Sequence, residues 1–265
     1  MESKDLHVLF IPFLAHGHMI PMMETARAFA ERGVTVSVIT TPANASYFQK
    51  TIDRAARTRH FIKLHFVHFP CSEAGLPDGC ENTDHVTSPA MPPGFWKAIG
   101  MIQTPVERLI EEHRPSCIVS DMCLPWTVDI ARKHGIPRLG FGVSSFFSIV
   151  AWECVRRYRP HDNVDNDFEK FVVTGLPHRI EMTRSQLPDF LRVRSGFTDF
   201  IDRIDRANDM SYGILVNTFY EVEPAYVDYY RESGRKAWTI GPVSFCNQDI
   251  LDKSERIKKA CIDED

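Results

Sequence analysis

The chain has 265 residues, of which 43% are hydrophobic and 25% charged, with a formal net charge of −4. That balance is ordinary for a folded globular chain and excludes broad disorder. The charges are mixed in sign, without the basic surplus or stripe that a nucleic-acid partner calls for.

The first residues, Met1-Glu2-Ser3-Lys4-Asp5, have neither the basic-then-apolar layout of a signal peptide nor a glycine at position 2 for myristoylation, which predicts a cytoplasmic chain. The run from Leu6 to Phe13 is almost continuously apolar and reads as a strand buried on both faces. Ile20, Met23, Ala26, Arg27 and Ala30 then fall at helical spacing, and Gly33 is a natural stop before a second strand, Val34 to Thr40. A helix over 44–56, a strand over 62–69 and a long proline-rich loop over 70–93 follow; a loop of that length is usually functional.

The alternation resumes with a helix over 95–113, strand 117–120, helix 125–134, strand 138–143 and helix 145–157. Strands alternating with helices predict a Rossmann-like α/β fold, a parallel sheet flanked by helices and joined by right-handed crossovers. Beyond Pro160 the chain becomes polar and irregular, then offers a short apolar piece at 171–173, a helix near 197–210, strand 214–219, helix 224–233 and strand 237–240. These read as the far side of the same domain, residues 1–245, while the charged stretch 246–265 reads as a linker or tail. The longest uncharged apolar-leaning run, Leu139 to Trp152, is shorter than the roughly 20 residues of a membrane-spanning helix, so no membrane span is expected.

Two polar residues stand at the ends of apolar strands. His18 follows the first, in Phe13-Leu14-Ala15-His16-Gly17-His18, and Asp121 closes a later one, in Cys117-Ile118-Val119-Ser120-Asp121. In an open sheet of the usual order the first and fourth strands are neighbours, and ligands bind beyond their carboxyl ends where the order reverses. An imidazole meeting a carboxylate there makes an acid/base pair, the carboxylate fixing the tautomer and stabilising the imidazolium. Plainer readings stand beside this one: His18 as a loop or surface histidine, Asp121 as an N-cap for the following helix, and His16 as an equally available imidazole.

Other chemistries find little support. His16 and His18 form a His-x-His without a third ligand at fitting spacing, and His65 and His68 point to opposite faces of a strand, so no metal site is expected. The first turn lacks the Gly-x-Gly-x-x-Gly of dinucleotide binding, and Gly142-Val143-Ser144-Ser145-Phe146 lacks the second glycine of a nucleophile elbow. Seven cysteines without paired spacing fit reduced thiols, although Cys71 and Cys80 bracket a loop that a disulfide could close.

Several long segments carry a resemblance in the right order: FLAHGHMIP at 13–21, FPCSEAGLPDGCEN at 69–82, SDMCLPW at 120–126, FVVTGLPHRIEMTRSQL at 171–187, SYGILVNTFYEVEPAYVDYYR at 211–231 and WTIGPV at 238–243. In these the sequence resembles the plant family-1 UDP-glycosyltransferases, in the branch that acts on flavonoids, triterpenoids, steroids and other small hydroxylated metabolites. The resemblance implies the N-terminal domain of a GT-B fold, with the acceptor held by this half and the UDP-sugar by a C-terminal domain. It implies His18, rather than His16, as the catalytic base and Asp121 as its partner in an inverting displacement that needs no metal and no cofactor.

Family members run to nearly twice this length, and the box that grips the UDP-sugar falls in the half beyond residue 265. UDP-sugar binding is therefore expected only together with a C-terminal domain, and the chain alone is expected to transfer little or nothing. The rival reading is a non-catalytic module that binds a hydrophobic small molecule or a partner. Phe13, Leu14, Met122, Phe146, Leu187 and Phe190 are the candidate lining for a small, hydrophobic, hydroxylated acceptor.

Overall fold

The computed structural model describes residues 6–57, 60–87, 91–193 and 196–243. Among the described residues nine strands run β1 His7–Ile11, β2 Thr35–Thr40, β3 Ile62–Phe66, β4 Cys117–Asp121, β5 Arg138–Gly142, β6 Lys170–Val172, β7 Glu181–Thr183, β8 Gly213–Val216 and β9 Ala237–Thr239. The helices are α1 His16–Ala30, α2 Pro42–Ala45, α3 Gln49–Arg57, α4 Cys71–Ala74, α5 Pro92–Met101, α6 Gln103–His113, α7 Thr127–Lys133, α8 Phe146–Tyr158, α9 Asp189–Arg192, α10 Gly196–Asp209 and α11 Pro224–Glu232.

Seven strands form one parallel sheet in the order β3-β2-β1-β4-β5-β8-β9. The order reverses between β1 and β4, which pair directly with Phe10 opposite Val119 and Ile11 opposite Ser120. The apolar runs of β1, β4 and β8 are buried because helices cover both faces, whereas edge strand β3 leaves Lys63 and Phe66 exposed. The main core packs Leu9, Phe10, Met19, Val38, Phe95, Val106 and Ile118. A second core lies under α8 and α11, where Phe146, Val150, Phe171, Ile214, Val227 and Tyr230 meet.

The polar region after Pro160 contains an antiparallel hairpin, β6 with β7. Its second strand, three residues long, is too short to leave a period in the sequence. The helix expected over 95–113 is two helices, meeting at Ile102 with ψ −7. Pro105 supplies the reason: it lacks the N–H that would bond to Met101, and its ring crowds that carbonyl. Similarly, the helix expected over 44–56 is divided into α2 and α3, and α1 starts at His16, so the first turn of this helix carries both histidines. At the end of α1, Gly33 turns the chain at φ 80, a conformation that a β-carbon would strain.

Histidines cluster at the opposite end of β1. The Ser37 hydroxyl lies within hydrogen-bond distance of two rings, 2.9 Å from His7 Nε2 and 3.2 Å from His65 Nε2. The His113 ring stands 4.2 Å from that of His65. Burial, helped by the charges of His113 and Lys63, pushes the His65 pKa down to about 4. A group that resists protonation when folded but accepts it when unfolded favours the unfolded state as pH falls. Stability attributable to His65 is therefore complete above pH 6.5 and drains away between pH 6.5 and about 4. Urea unfolding at pH 7 and pH 4.5 should show a loss of about 2 kcal/mol that is absent from His65→Gln; equal losses in both proteins would contradict this account.

Candidate active site

The pairing of β1 with β4 brings the first turn of α1 beside the end of β4. His18 Nδ1 lies 2.8 Å from Asp121 Oδ2, across 103 residues of sequence. The second carboxylate oxygen accepts the Cys123 N–H at 2.9 Å, so the carboxylate is held at both ends. This turn bond replaces the N-cap role that Asp121 offers on sequence grounds; the residue at the N-cap of α7 is Trp126. Asp121 is 1% exposed, while the His18 side chain keeps 25% of its surface open.

Burial disfavours the charged imidazole, but the hydrogen bond and charge of Asp121 together outweigh it, so His18 titrates above the ordinary 6.5. In the neutral ring the Nδ1–H donates to Asp121, which leaves the lone pair on Nε2. The arrangement is that of a general base with an orienting carboxylate. The Phe13 ring meets His18 edge-on at 5.2 Å, and Trp96 stacks on Phe13 at 5.3 Å. His16 turns elsewhere: its Nδ1 pairs with Asp84, and its ring stands edge-on to Tyr47 at 4.2 Å. Two positions apart on a helix, the two imidazoles face different sides and engage different carboxylates.

Residues 4–245 match the model of the glycosyltransferase N-terminal domain family. The chain belongs to that family. It is 46% identical over 98% of its length to a scopoletin glucosyltransferase of Nicotiana tabacum, covering 55% of that protein. It is 45% identical over 97% of its length to UDP-glucose flavonoid 3-O-glucosyltransferase 7 of Fragaria ananassa, covering 52% of it. Among solved structures, Glycyrrhiza uralensis UGT73P12 complexed with glycyrrhetinic acid 3-O-monoglucuronide superposes with a TM-score of 0.87 at 41% identity, over 94% of this chain and 51% of that one. The chain thus spans about half the length of the curated relatives it matches, and its parallel sheet is that of the N-terminal domain in GT-B glycosyltransferases.

Within this glycosyltransferase domain the residues expected to line the acceptor site are dispersed. Phe13 and Leu14 are 5% and 3% exposed, with the Phe13 ring against His18, and Met122 is half-buried directly after Asp121. Phe146 is wholly enclosed in the second core, edge-on to Tyr230 at 5.5 Å, and Leu187 packs into the same core. The backbone of α8 nevertheless depends on Phe146, because its N–H and that of Phe147 donate to the two oxygens of Glu223 at 3.0 and 2.7 Å. The Phe190 side chain lies outside the described residues. Cys71 and Cys80 are both free, buried thiols.

Arg138 escaped the sequence reading. At 2% exposure it donates from Nε to Ser120 Oγ at 2.7 Å and Thr127 Oγ1 at 3.0 Å, and from Nη1 to Asn208 Oδ1 at 3.3 Å and Ser211 Oγ at 2.7 Å. Its Nη2 donates to the Asp121 carbonyl at 3.1 Å. Burial pulls its pKa down to about 10 while the Asp121 charge works the other way, so the guanidinium stays charged at neutral pH. The only signal in the sequence is an arginine opening an apolar strand, in Pro137-Arg138-Leu139. Arg138→Met orphans these acceptors and should lower stability to urea by roughly 3–5 kcal/mol, with Arg138→Lys in between because one ammonium reaches fewer of them. A loss below about 1 kcal/mol for Arg138→Met would show the network to be dispensable.

Proposed function

We propose that this chain is the acceptor-binding half of a plant UDP-glycosyltransferase that transfers a sugar, glucose in view of its relatives' names, to a hydroxyl of a small hydrophobic metabolite. The observation that carries this reading is the hydrogen bond between His18 and Asp121 at the sheet's switch point, in a domain of glycosyltransferase sequence. Relatives named for scopoletin and for flavonoids support an aromatic, hydroxylated acceptor. His18 Nε2 takes the proton of the acceptor hydroxyl, the freed oxygen attacks the anomeric carbon from the face opposite the nucleotide, and UDP departs with inversion. Asp121 stabilises the imidazolium formed in that step.

Phe13, packed on His18, and Met122, next to Asp121, supply apolar surface beside the reacting hydroxyl. The UDP-sugar is a co-substrate held by a C-terminal domain, and positioning it accounts for the larger part of the rate. Among the described residues no helix is long and apolar enough to cross a membrane. With the free buried thiols, this supports placing the protein in the cytoplasm.

The test is mass-spectrometric detection of hexose transfer from UDP-glucose to scopoletin and flavonol acceptors, with the chain alone and with the C-terminal domain of the tobacco relative added. Transfer is expected only with the added domain, and His18→Ala should lower it about 10²- to 10⁴-fold, the usual share of a general base. Asp121→Asn should also lower it, through loss of the charge that stabilises the imidazolium. Transfer by the chain alone, or full activity in His18→Ala, would refute the proposal.

A further inference from the structure

Three donor groups of different chemistry converge at the root of the site. A ring nitrogen of His18, a carboxylate oxygen of Asp121 and the Sγ of Cys123 all lie within 4.8 Å of one another. The nitrogen facing the carboxylate is Nδ1, at 2.8 Å from Oδ2. His18 comes from the first turn of α1, Asp121 closes β4, and Cys123 stands in the turn that follows, its own N–H bonded to the other carboxylate oxygen at 2.9 Å. Two separate elements therefore hold the donors, and the sheet pairing between β1 and β4 fixes their spacing.

Tetrahedral zinc holds nitrogen and oxygen at about 2.0–2.2 Å and thiolate sulfur at about 2.3 Å, which sets neighbouring ligand atoms roughly 3.3–3.8 Å apart. The Nδ1–Oδ2 separation of 2.8 Å lies just below that range and no pair of donors is more than 4.8 Å apart, so the three are near enough to share one ion after side-chain adjustment. An imidazole, a carboxylate and a thiolate together suit zinc, cobalt or cadmium and do not suit magnesium or calcium, which take oxygen ligands. His18 keeps a quarter of its side-chain surface exposed, so the residue that opens the cluster is in contact with solvent.

We infer that His18, Asp121 and Cys123 form a binding site for a borderline divalent cation of the zinc type, and that occupancy disables His18 as a base. The proton balance explains the second part. Coordination uses the lone pair of Nδ1, so the Nδ1 proton moves to Nε2, and the Cys123 thiol releases its proton to solvent. The imidazole remains neutral, but Nε2 now carries a hydrogen and has no lone pair for the acceptor hydroxyl. Binding of the cation stands independently of the transferase reading, and only the disabling of the base rests on it.

Cobalt(II) is the probe, because a thiolate ligand produces a near-ultraviolet charge-transfer band and a tetrahedral site produces intense visible bands. The full 265-residue chain, reduced and free of chelator, should bind one equivalent of cobalt with both signatures, and one equivalent of zinc should bleach them. His18→Ala and Cys123→Ala should each weaken binding at least tenfold and remove the charge-transfer band. Cys123→Ser, which keeps the shape of the side chain and loses the thiolate, gives the same test if the alanine variant folds poorly. Absence of the charge-transfer band, or its survival in either the His18 or a folded Cys123 variant, would overturn the inference. The spectra require no sugar transfer, so a failed transfer assay leaves this test intact.

Discussion

A buried cation anchors the end of the strand on which the site is built. Arg138 sits inside the domain with almost no surface, and its guanidinium donates to side chains from β4, α7 and the region where α10 ends, as well as to the main-chain oxygen of Asp121. Burying a charge is costly unless it is paired and its hydrogen bonds are made. The partners around Arg138 satisfy that requirement and in doing so tie β4 to the helices on its flank. The neighbouring charge is that of Asp121, the residue on which the dyad depends.

From that anchor the geometry follows outward. The β4 backbone is held in register with β1, and its terminal carboxylate is gripped by His18 on one oxygen and the Cys123 N–H on the other. The imidazole is subject to opposed influences: burial favours its neutral form, while Asp121 favours its charged form and prevails. An imidazole in that position holds a proton more readily than a free one. The same closeness of nitrogen, oxygen and sulfur that tunes the base also describes a metal-ligand set, so acid/base chemistry and cation binding compete for one lone pair.

The two histidines of the first helical turn illustrate how local spacing is resolved by distant partners. His16 pairs with Asp84, carried by the long loop after β3, and His18 pairs with Asp121, carried by a strand. Each pairing ties α1 to a different part of the molecule. The loop carrying Asp84 is held further by Asn44 and Asn82, which hydrogen-bond to one another and to the loop backbone. Residues in a long loop thus acquire a defined position through buried amides rather than through secondary structure.

The sequence by itself determined the α/β class, the succession of strands and helices along most of the chain, and the prominence of His18 and Asp121 at strand ends. These are local properties, since the spacing of apolar residues reflects the period of the backbone that carries them. Its motifs also carried the family resemblance, which the matched family model and relatives bear out. It missed the break at Ile102, although Pro105 was there to signal it, and the short strand Glu181–Thr183, which is too brief to display a period. Tertiary structure alone decided that Phe146 is enclosed by Tyr230, that Glu223 caps the start of α8, that Arg138 lies beneath Asp121, and that Cys123 completes a cluster with the dyad. Each of these depends on which elements become neighbours across the sheet, and residue spacing along the chain does not encode which distant side chain will fill a given space.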